Sequence, residues 1–237
     1  MKASVIILAA GLSKRLQPLT NNIPKALLKI GDKTLIEQHI ILLKPHTKQI
    51  CVVTGHAHER VKQLLNSQVE LIYNPEYNTK NNCYSLLLGL KKIGTGAVIV
   101  VNSDVYCHPE IYESLLSAIN KNPDRNYLVV DDVNPPDEEA MKVKIANGRI
   151  VRIHKSILPE EAVGEYIGIS YIAEKYMKQM IEAHERIVKE SPHFYYEDAF
   201  QLTLGSTEWG LVSTKGLPWT EIDDFRDLEF ARQLKLN

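Results

Sequence analysis

The chain has 237 residues, of which 44% are hydrophobic, so it can bury one hydrophobic core and is too apolar for a disordered protein. Its formal net charge of −1 excludes the strongly basic surface expected of a general nucleic-acid-binding protein. The three cysteines are odd in number and lack Cys-x-x-Cys spacing, which predicts reduced thiols in a cytoplasmic protein.

The first predicted element is a buried strand, 4–8, that runs into a small turn. The turn sequence Ala9-Ala10-Gly11 has little side-chain volume, so its backbone amides can approach a phosphate closely. Lys14 and Arg15 follow at once, and Lys25 arrives after a proline. The segment therefore predicts an anion site with three cations near it.

Two familiar phosphate-loop motifs are absent from this turn. A dinucleotide fingerprint needs three glycines and a Walker A loop needs Gly-Lys-Ser/Thr, and the sequence has neither. The alternative is an ordinary turn with solvated cations. The apolar run before the turn is too short to span a bilayer, and no cleavage context follows it, so we predict a cytoplasmic strand and no membrane partner.

Further along the chain, apolar strands alternate with helix-length segments, which is typical of a parallel sheet with crossover helices. Thr34 followed by Glu37 has the pattern of a helix capping box. Asn147-Gly148 between two alternating runs predicts a type I′ hairpin over 142–153. Other strands are predicted at 49–54, 69–73, 97–101, 126–131, 164–172 and 209–213, and helices at 59–65, 83–92, 109–121, 173–190, 197–204 and 225–234.

These elements predict an α/β fold with a Rossmann-like mixed, mostly parallel sheet flanked by helices. The hairpin is expected to be a lid insertion. Because no linker, repeat or low-complexity tract divides the chain, we predict a single domain over 1–237.

Two aspartates far apart in sequence each follow a hydrophobic strand. Asp104 follows 97–103 and Asp223 follows 219–222. Mg²⁺ prefers hard oxygen ligands and commonly takes one or two carboxylates together with substrate phosphates. Either aspartate alone could instead cap a turn or a helix. Glu221 could share the role through a water or could face solvent.

Several segments resemble a known enzyme superfamily. Residues 8–16 with Pro24-Lys25-Ala26-Leu27 resemble the motif of nucleotidyltransferases that join a phosphorylated small molecule to a nucleoside monophosphate. Segments 77–86, 164–169 and 219–223 are similar to the choline-phosphate cytidylyltransferase branch, which includes enzymes for phosphonate and other phosphorylated acceptors. The similarity extends over nearly the whole chain.

The resemblance implies Mg²⁺-dependent transfer of CMP from CTP to a small phosphorylated or phosphonate metabolite, with release of pyrophosphate. The acceptor is already ionised near neutral pH, so catalysis needs positioning and charge neutralisation rather than a general base. Asp104 and Asp223 match the positions at which the superfamily holds its metal. Lys14 and Arg15 would hold the β- and γ-phosphates, and Lys25 would lie between the α-phosphate and the acceptor.

The nucleotide is expected to contact the first turn and a polar loop. Asn81, Asn82 and Ser85 lie where this branch has its pyrimidine contacts, and amide side chains can both donate to and accept from cytosine. The same residues could equally cap a helix. The predicted nucleotide-binding set is Leu8, Ala9, Ala10, Gly11, Asn81, Asn82, Ser85 and Asp104.

The acceptor is expected to bind under the lid, where carboxylates and aromatic rings could recognise an ammonium group. The alternative is that the aromatic residues belong to the core and that the acids only favour a helix N-terminus. The predicted acceptor-binding set is Glu165, Tyr166, Tyr196, Glu197, Asp198 and Trp219.

Residues 1–131 would thus form the nucleotide half and 132–237 the acceptor and lid half. The expected partners are CTP and a small phosphorylated or phosphonate acceptor, without nucleic acid or membrane, in a monomer or homodimer. One alternative is a sugar-1-phosphate nucleotidyltransferase that uses UTP or dTTP, which the loop 81–85 disfavours. Another is an inactive nucleotide-binding module, which the presence of all the candidate phosphate and metal residues disfavours.

Overall fold

The computed structural model describes residues 2–65, 68–234 and 236. Strands β1 to β13 are, in chain order, Ser4–Ala9, Lys29–Ile30, Lys33–Thr34, Gln49–Thr54, Glu70–Tyr73, Val98–Asn102, Val105–Cys107, Asn126–Asp131, Lys142–Ala146, Arg149–His154, Gly164–Ile172, Trp209–Ser213 and Trp219–Glu221. Helices α1 to α7 are Leu35–Leu43, His58–Leu65, Asn82–Ile93, Pro109–Lys121, Met177–Glu190, Tyr196–Thr203 and Phe225–Gln233.

Among the described residues, the central sheet is mixed and has nine strands, in the order β10-β9-β11-β6-β1-β4-β5, with β8 pairing to β11 and β12. Strand β1 is parallel to both β4 and β6, and β4 is parallel to β5. Strand β11 is antiparallel to β6, β8 and β9, and β12 is parallel to β8. The predicted mixed α/β sheet is therefore confirmed, and β11 is the strand at which its direction reverses.

Helices cover both faces of the sheet, and β1 shows why its sequence is apolar throughout. Val5 and Ile7 pack into the cluster that holds the buried residues of α1 and α4, whereas Ile6 and Leu8 pack into the cluster that holds those of α3 and α5. Successive side chains of a strand point to opposite faces, so a strand covered on both sides needs a continuous apolar run.

Most predicted elements form close to their predicted bounds. The strands at 49–54, 126–131 and 209–213 agree at both ends. Thr34 caps α1 in a capping box, with Thr34 N–H donating to Glu37 Oε2 at 2.8 Å. The long helix begins at Met177 rather than at Ala173, because Glu174–Tyr176 forms a separate 3-10 turn.

The hairpin forms as predicted, but it is not a separate insertion. Asn147 and Gly148 both have positive φ, 50° and 71°, as a type I′ turn requires. Strand β9 pairs with β11, so the hairpin is the edge of the central sheet. Strands from both halves of the chain therefore share one sheet.

The three cysteines are buried and free, as expected. Burial raises the pKa of the Cys107 thiol to about 12. Among the described residues, no helix combines the length and apolar character that crossing a bilayer requires.

Candidate active site

The turn after β1 forms one wall of a cavity of about 310 Å³. Gly11 has open space where a Cβ would lie, and among the described residues no oxygen accepts a hydrogen bond from the backbone amides of Gly11 or Leu12. These amides are therefore free to bind an anion. The cavity is lined by Leu8, Ala9, Ala10, Gly11, Leu12, Ser13, Lys25, Ala26, Tyr77, Lys80, Asn81, Asn82, Ser85, Asn102, Ser103, Asp104 and Glu221.

A small two-stranded sheet brings the distant carboxylates together. Asp104 lies in the turn between β6 and β7, and β13 pairs antiparallel with β7, with Glu221 opposite Val105. The pairing continues past β13, because Ile222 N–H donates to the Asp104 carbonyl at 3.0 Å. Asp223, the next residue, is thereby placed beside the Asp104 turn.

Lys25 lies between the two aspartates. Its Nζ is 2.9 Å from Asp104 Oδ2 and 2.8 Å from Asp223 Oδ1, and Arg15 Nη2 is 2.6 Å from Asp223 Oδ2. Burial alone would lower the pKa of Lys25, but the negative charges of Asp104 and Asp223 outweigh this effect and raise the pKa well above its usual value. Burial alone would raise the pKa of Asp223, and the charges of Lys25 and Arg15 lower it below its usual value. Lys25 and Asp223 are therefore both charged near neutral pH.

Three carboxylates form a cluster that could hold a metal ion. Asp104, Glu221 and Asp223 each present one oxygen, and these oxygens lie within 4.8 Å of one another. The other oxygen of Asp104, Oδ1, is buried without a hydrogen-bond partner in the described structure. An all-oxygen set with one oxygen unpartnered fits Mg²⁺, which uses carboxylates and completes its shell with water and phosphate.

Glu221 is the residue of this cluster whose role the sequence left open. Part of the residue is exposed, but desolvation of its carboxylate, followed by the negative charges of Asp104 and Asp223, raises its pKa to about 8. A nearby cation would favour the ionised form. The spacing of two residues between Glu221 and Asp223 was the signal in the sequence, since such residues share one side of a strand.

The two cations next to the first turn differ in their surroundings. Lys14 and Arg15 are exposed residues of a 3-10 turn whose third residue, Leu16, is buried. Neither cation lines the cavity, but Arg15 pairs with Asp223 at its margin. The role of Lys14 in phosphate binding stays a prediction.

The polar loop of the nucleotide half lines the cavity and also supports its wall. Asn81 caps α3, accepting from the Asn82 amide at 2.8 Å. Asn82 Oδ1 accepts from the Tyr196 amide at 3.1 Å, and Ser85 Oγ accepts from Asn74 Nδ2 at 2.9 Å. Capping by Asn81 is thus present, and all three residues remain on the cavity surface.

Sequence reasoning did not assign seven residues of the cavity wall to the site: Leu12, Ser13, Ala26, Tyr77, Lys80, Asn102 and Ser103. A Cβ on Gly55 would lie 2.3 Å from the Tyr77 Cβ and 2.7 Å from the Ala10 carbonyl oxygen. Glycine at this position therefore lets Tyr77 lie against the first turn. Lys80 pairs with Glu76 at 2.8 Å. A glycine directly after a parallel strand was the signal available for Tyr77.

The predicted acceptor residues do not form one continuous surface. Tyr166 and Tyr196 are buried, and their hydroxyls lie 3.0 Å apart. Tyr196 also donates to Asn102 Oδ1 at 3.1 Å, and Asn102 lines the cavity. None of the six predicted acceptor residues lines this cavity, and the two buried tyrosines support it from behind through Asn102.

Two further members of that set have local structural partners. Asp198 Oδ2 accepts from the Tyr195 amide at 2.8 Å and so caps α6, which was the alternative interpretation. The indole N–H of half-buried Trp219 donates to Asp131 Oδ2 at 2.8 Å, which connects β13 to the end of β8. These contacts position the surrounding strands and helix.

Glu165 and Glu197 keep carboxylates that no cation neutralises in full. Burial raises the pKa of Glu197 to about 7, and its Oε2 has no hydrogen-bond partner in the described structure. Burial, then the charges of Asp137 and Asp131, raises the pKa of Glu165 to about 7. Lys155 opposes both shifts, and its Nζ lies 5.4 Å from the ring centre of Tyr195.

Comparison with known proteins agrees with this geometry. Choline-phosphate cytidylyltransferase of Streptococcus pneumoniae is 38% identical over 119 residues, which are 49% of this chain and 50% of the relative. The bifunctional IPC transferase and DIPP synthase of Aquifex aeolicus is 32% identical over 241 residues, covering 98% of this chain and 52% of the relative. The matches thus span about half the length of these two relatives. 2-Aminoethylphosphonate cytidylyltransferase of Lancefieldella rimae is 25% identical over 232 residues, 96% of this chain and 91% of the relative.

Solved structures share the fold. CTP:phosphocholine cytidylyltransferase from S. pneumoniae superposes with a TM-score of 0.78 at 24% identity, over 98% of this chain and 99% of the other. The inositol-1-phosphate CTP transferase from T. maritima superposes with a TM-score of 0.81 at 20% identity, over 98% and 95%. The MobA-like NTP transferase domain matches residues 5–186, which is most of the chain. The chain belongs to this MobA-like NTP transferase family.

Proposed function

We propose that the protein is a Mg²⁺-dependent cytidylyltransferase that transfers CMP from CTP to a small phosphorylated or phosphonate metabolite and releases pyrophosphate. The observation that supports it best is a carboxylate cluster at one cavity: Lys25, Asp104 and Glu221 line the cavity, and Asp223 adjoins them through its contact with Lys25. That cavity also contains free backbone amides of the first turn. Anion binding and cation binding thus occur side by side.

The chain's own residues would act mainly by position and charge. The amides of Gly11 and Leu12 would bind phosphate oxygens, and Arg15 would stabilise charge that develops on the departing pyrophosphate. Asp104, Glu221 and Asp223 would hold a divalent cation, which when bound neutralises phosphate charge. No general base is needed because the acceptor oxygen is already ionised.

Lys25 is placed to reduce the repulsion between the two reacting anions. Its ammonium is directed into the carboxylate cluster and lines the cavity, between the first turn and the Asp104 turn. A positive charge there would favour the approach of the acceptor oxygen to the α-phosphorus.

For the acceptor, we propose a small cationic group such as that of choline phosphate or 2-aminoethylphosphonate. Glu165 and Glu197 supply carboxylates whose pKa values burial has raised, and such groups bind a cation favourably because the cation relieves their desolvation. The names of the S. pneumoniae and L. rimae relatives support the same chemistry.

A second candidate is a polyol phosphate acceptor such as inositol 1-phosphate. It is suggested by the T. maritima structure, which shares the fold of this chain and is named as an inositol-1-phosphate CTP transferase. A polyol would require neutral donors and acceptors rather than the unpaired carboxylates of Glu165 and Glu197, so the cationic acceptor is preferred.

A two-way screen tests both proposals. Purified protein is incubated with CTP, UTP, dTTP or GTP and with choline phosphate, 2-aminoethylphosphonate, inositol 1-phosphate or glucose 1-phosphate, and pyrophosphate release is coupled to pyrophosphatase. We expect release with CTP and the two cationic acceptors, with the CDP-linked product seen by mass spectrometry. EDTA should abolish release and Mg²⁺ should restore it.

The outcomes separate the alternatives. Release only with inositol 1-phosphate would replace the cationic acceptor while keeping CTP. Release only with glucose 1-phosphate and UTP or dTTP would make the protein a sugar-phosphate nucleotidyltransferase. Full activity in EDTA, with metal removal verified, would contradict the role of Mg²⁺.

A further inference from the structure

We propose that Lys25 holds the place of the divalent cation in the metal-free protein, and that metal binding displaces its ammonium from the carboxylates toward the substrate phosphates. The inference deepens the proposed function, on which it rests for the identity of those phosphates. Under this proposal, the Lys25 side chain has one position without bound metal and a second position when metal is bound.

The geometry shows that Lys25 and a metal would compete for the same atoms. Lys25 Nζ contacts Asp104 Oδ2 at 2.9 Å and Asp223 Oδ1 at 2.8 Å. A Mg²⁺ ion bound by carboxylates lies about 2.0–2.1 Å from their oxygens. An ion on these oxygens and an ammonium in its present position would be in near contact, where like charges repel strongly.

The net charge of the cluster also favours displacement of Lys25 when a metal ion binds. In the part of the chain that the structure describes, Lys25 and Arg15 are the two cations that pair with the cluster, which contains three carboxylates. Adding a doubly charged ion while keeping both cations would make a partly buried site positive. Moving the Lys25 ammonium to a phosphate avoids this excess and leaves each charge next to an opposite one.

Asp104 provides an independent observation. One of its oxygens, Oδ2, is paired with Lys25, while Oδ1 is buried and has no partner in the described structure. A buried carboxylate oxygen without a partner is costly. Lys25 therefore satisfies the cluster incompletely, which leaves a reason for a multivalent ion to replace it.

The consequence is an order of events. Without metal, Lys25 stays on the aspartates and is withheld from the phosphates. With metal, Lys25 becomes free to lie between the α-phosphate and the acceptor. Metal alone should bind weakly. It must displace the Lys25 ammonium from the aspartates, and no substrate phosphate is then present to pair with that ammonium.

Mn²⁺ binding to the nucleotide-free protein tests this competition. Free Mn²⁺ is measured by electron paramagnetic resonance for the wild type, Lys25→Met and Lys80→Met. Lys80→Met is the matched control, since Lys80 lines the same cavity but pairs with Glu76. We expect Mn²⁺ to bind Lys25→Met at least about tenfold more tightly than the wild type, and Lys80→Met within about threefold of the wild type.

Each outcome decides something different. Equal affinity of the wild type and Lys25→Met would overturn the inference but leave the metal site and the proposed transfer intact. Equal tightening in both variants would mean that only the general charge of the cavity matters, which also overturns it. No Mn²⁺ binding in any form would overturn both the metal site and the inference, and the CTP screen would then decide on the transfer separately.

A measurement on the wild type covers the case in which Lys25→Met does not fold. Lysines are labelled briefly with acetic anhydride, with EDTA or with Mg²⁺, and the extent of labelling at each position is read by mass spectrometry. We expect labelling of Lys25 to increase at least about threefold in Mg²⁺, with Lys80 unchanged, because a lysine displaced from the two carboxylates becomes more accessible to the reagent. Unchanged or slower labelling of Lys25 in Mg²⁺ would overturn the inference.

Discussion

The two sides of the candidate site treat charge in opposite ways. On the phosphate side, Lys25 and Arg15 are paired with Asp104 and Asp223, and the carboxylate of Asp223 has a lowered pKa. On the acceptor side, Glu197 is buried with an unpartnered oxygen and a raised pKa. The phosphate side is thus a balanced cluster already in the charged state, and the acceptor side is a carboxylate that lacks its cation.

The different chain connections explain the contrast. The phosphate side lies where parallel strands β1 and β6 end at the same edge of the sheet, and the β7–β13 pair adds the second aspartate there. Glu197 instead lies in the first turn of α6, packed behind the antiparallel part of the sheet. Polar side chains from several elements meet where parallel strands end at one edge of the sheet. A polar side chain on a helix packed against the sheet is buried without such neighbours.

The largest effect is expected on the balanced cluster. Asp104→Asn and Asp223→Asn should each leave a folded protein with turnover at least about a hundredfold lower, because each removes part of the hold on the metal. Steady-state pyrophosphate release checks this, with circular dichroism to verify folding. Near-normal turnover in either variant would rule out its aspartate as a metal ligand.

Lys25 should affect the rate more than binding. Lys25→Ala should lower kcat by about tenfold to a hundredfold with a smaller change in the acceptor KM, since its charge matters most when two anions meet. Lys25→Arg should recover only part of the rate, because a planar guanidinium does not replace a compact ammonium. A change confined to KM would make Lys25 a binding residue only.

On the acceptor side, we expect a smaller effect that appears in binding. Glu197→Gln should raise the KM for a cationic acceptor at least about tenfold, because the ammonium would lose its buried partner. Asp198→Asn is the matched control, since Asp198 caps α6, and its KM should change less than about threefold. Equal effects of the two substitutions would indicate that they act through α6 and not through the acceptor.

The last prediction concerns stability rather than activity, so its effect would be absent from the kinetic assays. The pKa of Glu197 rises from 4.5 to about 7 on folding, so the unfolded chain ionises first as the pH rises, and the wild type loses stability between these values. The Glu197→Gln protein has no ionisable group at this position, so its free energy of unfolding does not decrease for this reason. Its free energy of unfolding relative to the wild type should therefore increase by up to about 3 kcal/mol between pH 4.5 and pH 8. Urea unfolding of both proteins at each pH measures it, and a difference that does not vary with pH would contradict the buried ionisation.

Much of the fold follows from local sequence patterns. The apolar run of β1, the capping box at Thr34 and the Asn147-Gly148 turn each predicted an element that the structure contains. These patterns succeed because strand alternation, capping and positive φ depend on a few neighbouring residues. The bounds of the long helix were less accurate, since a 3-10 turn and a helix have similar local requirements.

The sequence identified several residues of the candidate site, but it did not show which of them contact one another. The first turn, Lys25, Asp104 and Asp223 were selected from sequence, and the structure brings them to one cavity edge. The Tyr166 and Tyr196 side chains lie behind that cavity instead of on its surface. Whether an aromatic residue faces a ligand or the core depends on packing that the sequence does not display.

The sequence by itself determined the first strand, the small turn after it and the kinds of charge available, because these depend on residue type and short spacing. The tertiary structure decided which charges meet. Arg15 and Asp223 are 208 positions apart, and their contact depends on the register of β13 on β7. Such a register results from long-range pairing, and a shift of one residue would turn Glu221 and its neighbours to the opposite face. That pairing brings Asp223 beside Asp104 and so places Lys25 between two aspartates.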